Sequence, residues 1–103
     1  MPDRAPAMPE AALQGAVTDI CKLYGVWWYH ANIPRRDRAG WPDLALVGGR
    51  GAMFRELKRD GKNPTAIQSE VGLRMSRAGL DWGVWRPADL RSGRIHKEIE
   101  AIH

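Results

Sequence analysis

Residues 43–58 read DLALVGGRGAMFRELK, two apolar runs on either side of a glycine-rich turn. No other stretch limits the fold so tightly. Gly48, Gly49 and Gly51 supply the turn, so "DLALV" and "AMFRELK" are expected to pair as an antiparallel hairpin. With Val47 and Ala52 as the last pair, Asp43 falls opposite Glu56, and opposed residues point to one face. Lys58 comes two residues after Glu56, on that same face and roughly 7 Å along the strand. Leu44, Leu46, Phe54 and Leu57 take positions that a sheet can bury.

Two facing carboxylates repel unless a cation sits between them. The pair is expected to be exposed, and a divalent metal is the economical way to neutralise it. Hard oxygen ligands with no cysteine nearby select Mg²⁺ or Mn²⁺ over zinc. A metal held by few carboxylates keeps water and room for phosphate oxygens. Lys58 then stands where it can orient or deprotonate an attacking water, or steady negative charge on a phosphate. The purely structural alternative is a strand-capping Asp43 beside a Glu56–Lys58 surface ion pair.

The rest of the chain supplies a scaffold. Residues 1–8, rich in Pro and Ala, are expected to be disordered. Residues 9–103 are expected to form one domain. Pro9 suits the first position of a helix, and Leu13, Ala16, Val17, Ile20, Cys21 and Tyr24 repeat at helical spacing up to Gly25. "VWWYHANI" reads as a strand. "PRRDRAGWP" is a basic loop and "DGKNP" another loop. A second helix is expected from Thr65 to about Ala78, with Ile67, Val71 and Met75 on one face. "LDWGVWRP" is a fourth strand, ended by Pro87. "ADLRSGRIHKEIEAIH" holds a final helix with Ile95, Ile99 and Ile102 at i, i+4 and i+7. The order predicts an α/β domain: an antiparallel three-stranded meander, a crossover to a fourth strand, and helices on a mixed four-stranded sheet. Trp27, Trp28, Trp82 and Trp85 are read as core or interface anchors, and Trp41 as a platform on which an unpaired base could stack.

Sixteen Lys and Arg against twelve Asp and Glu give a net charge of +4. That balance suits a polyanionic partner. Arg35, Arg36 and Arg38 precede the first strand of the hairpin and are candidate contacts to a DNA backbone. Arg59 and Lys62 extend this positive rim, and His30, at the end of the first strand, is a candidate phosphate contact. The one cysteine, Cys21, excludes an internal disulfide and is expected to be a small core residue in a reducing compartment. No apolar run approaches the ~18 residues of a membrane span, and the N-terminus lacks the apolar core of a signal peptide. A cytoplasmic location is expected. Nothing suggests a small-molecule cofactor.

The string "WPD", twelve intervening residues and "ELK" resembles the PD-(D/E)XK nuclease signature. The element order resembles that superfamily's restriction-endonuclease-like αβββαβ core, here with an extra C-terminal helix. Within the superfamily, "PEAALQ", "WWYH", "GWPDLALV", "FRELK", "IQ" and "GVWRP" resemble the VRR-NUC family over about residues 9–90. The resemblance implies a metal-dependent DNA endonuclease in which Asp43 and Glu56 bind the metal, helped by the Leu57 backbone carbonyl. Lys58 matches the catalytic lysine. Gln68 matches a glutamine on the helix after the hairpin, although Thr65-x-x-Gln68 is also a capping box. Glu10 matches an acid that approaches the metal through water, although an acid in a first helical turn is favourable by itself. Small stand-alone members occur in phages and bacteria, which implies a bacterial or phage-infected cytoplasm.

Three readings remain open beside a structure-selective endonuclease. One is a Holliday-junction resolvase, which shares the hairpin. Another is a non-catalytic nucleic-acid-binding module. The last is a structural or dimerisation protein. A homodimer is expected, with the tryptophans and the Ile95, Ile99 and Ile102 stripe offering apolar surface.

Overall fold

The computed structural model describes residues 7–31 and 39–103. The elements run α1 (Glu10–Tyr24), β1 (Trp27–His30), β2 (Leu44–Val47), β3 (Ala52–Leu57), α2 (Ala66–Arg77), β4 (Trp82–Trp85), α3 (Pro87–Arg91) and α4 (Arg94–Ile102). The strands lie in the order β1-β2-β3-β4. β1, β2 and β3 form the antiparallel meander, and β4 returns parallel to β3 after the α2 crossover. Val47 faces Ala52 and Leu44 faces Arg55, the register anticipated from the turn.

That register gives the sheet two different faces. Leu44, Leu46, Met53, Leu57 and Trp85 share one face and pack against Leu13, Val17 and Cys21 of α1 and Ile95, Ile99 and Ile102 of α4. Met8, within the stretch expected to be disordered, packs against this core. Burial pushes the Cys21 thiol up to about 11, so it is an inert core residue. The other face carries Phe54, Glu56, Trp82 and Val84. Gly72 of α2 lies flat on the Trp82 ring, where any Cβ would overlap the indole. Glycine there lets α2 approach the sheet beside Glu56.

Several expectations change. Pro9 is the N-cap of α1 and stands just outside the helix. The expected final helix is two, α3 and α4, broken at Ser92 and at Gly93 with φ 85°. Pro87 ends the strand by opening α3. Ile95, Ile99 and Ile102 are buried in the core, so that stripe offers no dimer surface. Trp85 is core and Trp82 is half-buried, whereas Trp27 and Trp28 are exposed. On α2, Met75 is buried but Ile67 is exposed, because this end of the helix overhangs a cleft.

Candidate active site

Asp43 stands one residue before β2 and Glu56 one residue before the end of β3, so the hairpin register sets them face to face. Hydrogen bonds fix both positions. Asp43 Oδ2 accepts the Leu57 amide at 2.7 Å. The Asp43 carbonyl accepts the Ala31 amide at 3.0 Å, which ties it to the end of β1. The Lys58 amide donates to the Trp85 carbonyl at 3.0 Å, extending the β3–β4 pairing past Glu56. Asp43 therefore does cap the strand, and the same bond holds it beside Glu56.

Glu56 is not the exposed acid expected from sequence. Only 1 % of it is accessible. Its Oε1 is buried with no hydrogen-bond partner among the described residues. Lys58 Nζ comes to 3.8 Å of Oε2, too far for a close ion pair. Burial first, and the Asp43 charge second, push the Glu56 carboxyl up to about 8, with Lys58 partly opposing them. An unpaired buried carboxylate is costly, so this position is held by the fold at the expense of stability.

The acids open into a cleft of about 530 Å³ whose lining includes Glu10, Trp41, Asp43, Glu56, Lys58 and Gln68. Gly40, with φ 85°, backs onto α2, where a Cβ would meet the Ile67 carbonyl at 2.7 Å. This close approach shapes the cleft wall. Trp41 is edge-on to Phe54, with ring centroids 6.4 Å apart. The capping box is formed: Gln68 N donates to Thr65 Oγ1 at 3.2 Å, and Thr65 N donates to Gln68 Oε1 at 2.8 Å. Gln68 still reaches the cleft, so capping and site membership coexist at one residue. A second groove of about 420 Å³ adjoins at Glu10 and Lys58 and is lined by Arg59, Lys62 and Asn63.

The fold thus gathers Asp43, Glu56, Lys58, Gln68 and Glu10 around one cleft, with Arg59 and Lys62 next to it. His30 is exposed at the end of β1 and lines neither space. Arg35, Arg36 and Arg38 lie outside the described residues. Sequence reasoning missed Arg55, which is only 4 % exposed on the core face. Its guanidinium donates to Glu98 Oε1 at 2.9 Å and to the Asp81 carbonyl at 2.9 Å, and lies over the Trp85 ring. The hairpin parity already put Arg55 opposite Leu44. Its partner Glu98, 43 residues away, had no local signal.

The donors present suit a hard cation. Asp43 and Glu56 offer oxygen alone, and the unpartnered Glu56 Oε1 is a ligand atom without a bond to lose. Among the described residues no group of three or more His, Cys, Asp or Glu converges as a metal cage. Two carboxylates with solvent completing the shell is the pattern Mg²⁺ favours.

No family model matches the sequence, and no curated protein matches it. Among solved structures, a chain described as "VRR_NUC domain protein" is similar, with a TM-score of 0.62, 22% identity and 79% of each chain covered. At that identity the likeness speaks for the fold. The chain therefore shares the mixed-sheet α/β fold of that VRR_NUC domain protein, the fold that its hairpin anticipated.

Proposed function

We infer that the chain is a Mg²⁺- or Mn²⁺-dependent DNA endonuclease of the VRR_NUC type, acting on branched, flapped or junction DNA. The observation that carries this reading is the buried, incompletely partnered Glu56 beside Asp43 and Lys58 at the floor of an open cleft. A purely structural ion pair would be closed and satisfied.

Each residue then has a role. Asp43 and Glu56 hold the metal, with the Leu57 carbonyl as a third oxygen. The metal, when bound, supplies Lewis-acid stabilisation of charge on the phosphate. Lys58 sits 3.8 Å from Glu56, close enough to orient water at the phosphorus and to oppose negative charge that grows there. Gln68, at the start of α2, brings its amide and the positive helix end to the cleft. Glu10, on the rim between the two spaces, is positioned for a water-mediated contact. Arg59 and Lys62 bind flanking phosphates, and Arg35, Arg36, Arg38 and His30 are further candidates for the same backbone. Among the described residues no helix is long and apolar enough to cross a membrane.

The test is incubation with labelled single-stranded, duplex, flapped and junction DNA in Mg²⁺, Mn²⁺ or EDTA. Cleavage that needs metal and is lost in Glu56→Gln supports the reading. Folded wild-type protein that binds DNA and never cuts, with any metal, assigns it instead to a binding module.

A further inference from the structure

On the face of the sheet that carries Glu56, α2 packs at β4, where Gly72 meets the Trp82 ring. Towards β1 this face lies open among the described residues. Trp27 and Tyr29 alternate onto this face and are 77% and 62% exposed. Val47, opposite Trp27, is exposed beside them. The same alternation continues to Ala31, which lines the catalytic cleft. Two aromatic rings therefore step away from Glu56 along one rigid strand, roughly 7 Å apart. At the far end Trp27 borders a hollow of about 220 Å³ with Gly25, Val47, Gly48 and Gly49. The exposed Arg50 follows in the same turn, and the Gly49 amide donates to the His103 backbone oxygen at 3.3 Å.

We propose that this face is a track for unpaired nucleobases. A single-stranded segment of the substrate leaves the cleft along β1, stacks one base on Tyr29 and seats the next against Trp27 in the hollow. Exposed rings on a fixed sheet accept the π-face of any base, which gives selection for unpaired strand without reading sequence. A paired base has its faces covered by its neighbours and cannot use the track. A second copy of the chain fits less well. The two rings expose roughly 300 Å² between them, well under the ~800 Å² that each partner of a stable complex buries. The identity of the polymer rests on the nuclease reading.

Fluorescence anisotropy in EDTA, with a labelled ~10-nucleotide oligothymidylate and a blunt duplex, tests the track apart from cleavage. Trp27→Ala and Tyr29→Ala remove exposed rings and should leave the fold intact by circular dichroism. Each is expected to weaken oligothymidylate binding ~5- to 150-fold and to lower its ratio to duplex binding by a similar factor, while Trp27→Phe keeps most of the affinity. Equal losses on both DNAs, or no loss, overturn the proposal. So does a loss that tracks dissociation of a dimer in light scattering, which would assign the face to a second copy. Protein that binds oligothymidylate through Trp27 yet never cuts keeps this inference and loses the nuclease reading. Metal-dependent cutting with unpaired-strand affinity unchanged in Trp27→Ala does the reverse.

Discussion

Arg55 and Glu56 are neighbours in β3, both ionisable and both buried, and they could hardly be treated more differently. Arg55 points to the core face, where Glu98, the Asp81 carbonyl and carboxylate, the Phe54 carbonyl and the Trp85 ring receive it. Burial would raise the Glu98 carboxyl, but hydrogen bonds from Arg55, Arg94 and Trp85 outweigh it and hold the group below its ordinary value. Glu56 points to the other face with one oxygen unpartnered and its carboxyl pushed up. A fold able to satisfy one buried ionisable group this fully leaves the adjacent one short. That contrast separates a structural charge from one kept for a ligand.

Exchanging each member should break different properties. Glu56→Gln is expected to cut cleavage by roughly 10³-fold or more and to abolish Mn²⁺ binding by calorimetry, with no loss of melting temperature in EDTA. Arg55→Met should do the opposite. It is expected to cost roughly 3 kcal/mol, the low end for a broken buried pair, because Glu98 keeps Arg94 and Trp85. That corresponds to a melting drop of roughly 10–20 °C, with residual cleavage by the folded fraction. Equal loss of stability in both variants would erase the distinction.

Lys58→Ala sharpens the same line inside the site. Both carboxylates remain, so Mn²⁺ should still bind. Cleavage should fall about 10²–10³-fold, as for loss of one group that stabilises transition-state charge. Loss of Mn²⁺ binding would show that Lys58 acts by holding the acids in place.

The pH dependence gives a third effect. Glu56 keeps its proton in the native state up to about 8, whereas the unfolded chain releases it near the ordinary 4.5. In that window the native state binds the extra proton, so stability falls as pH rises and levels off above about 8. Metal-free wild type should melt progressively lower from pH 5 to 8. Glu56→Gln has no such proton, so its advantage over wild type should grow across the window. Parallel melting curves would mean that Glu56 is already ionised and satisfied.

The acid pair, its lysine and the strand order were legible because they are local. A short turn fixes parity, and parity fixes which residues share a face. The Thr65–Gln68 cap was legible for the same reason. Burial was not. The spacing of Ile95, Ile99 and Ile102 announces an apolar face, but only packing decides that α1 and the sheet cover it. Nothing near Glu56 in sequence says that it is closed off, and nothing near Arg55 names Glu98. Trp27 and Trp85 both sit in short aromatic edge strands, yet Trp85 points to the face that α1 and α4 cover and Trp27 to the opposite face, a difference that pairing parity and helix packing make together.

Gln68 lies between the satisfied and unsatisfied cases. Its Oε1 is taken by the Thr65 amide, while its side-chain nitrogen makes no hydrogen bond among the described residues and reaches the cleft. Thr65→Ala and Gln68→Ala each remove half of the capping box, and each should cost about 1 kcal/mol. Thermal melting should therefore not tell them apart. Cleavage should, because Thr65→Ala keeps the Gln68 amide in the cleft and Gln68→Ala removes it. Single-turnover rates are expected to fall about tenfold further in Gln68→Ala than in Thr65→Ala, a gap of about 1.4 kcal/mol in transition-state stabilisation. Gln68→Glu keeps the acceptor that caps the helix but replaces the donor with a third negative charge near the acids. It should melt close to wild type and cleave no better than Gln68→Ala. Equal rates in Thr65→Ala and Gln68→Ala would make Gln68 a cap alone, leaving Asp43, Glu56 and Lys58 as the whole of the site.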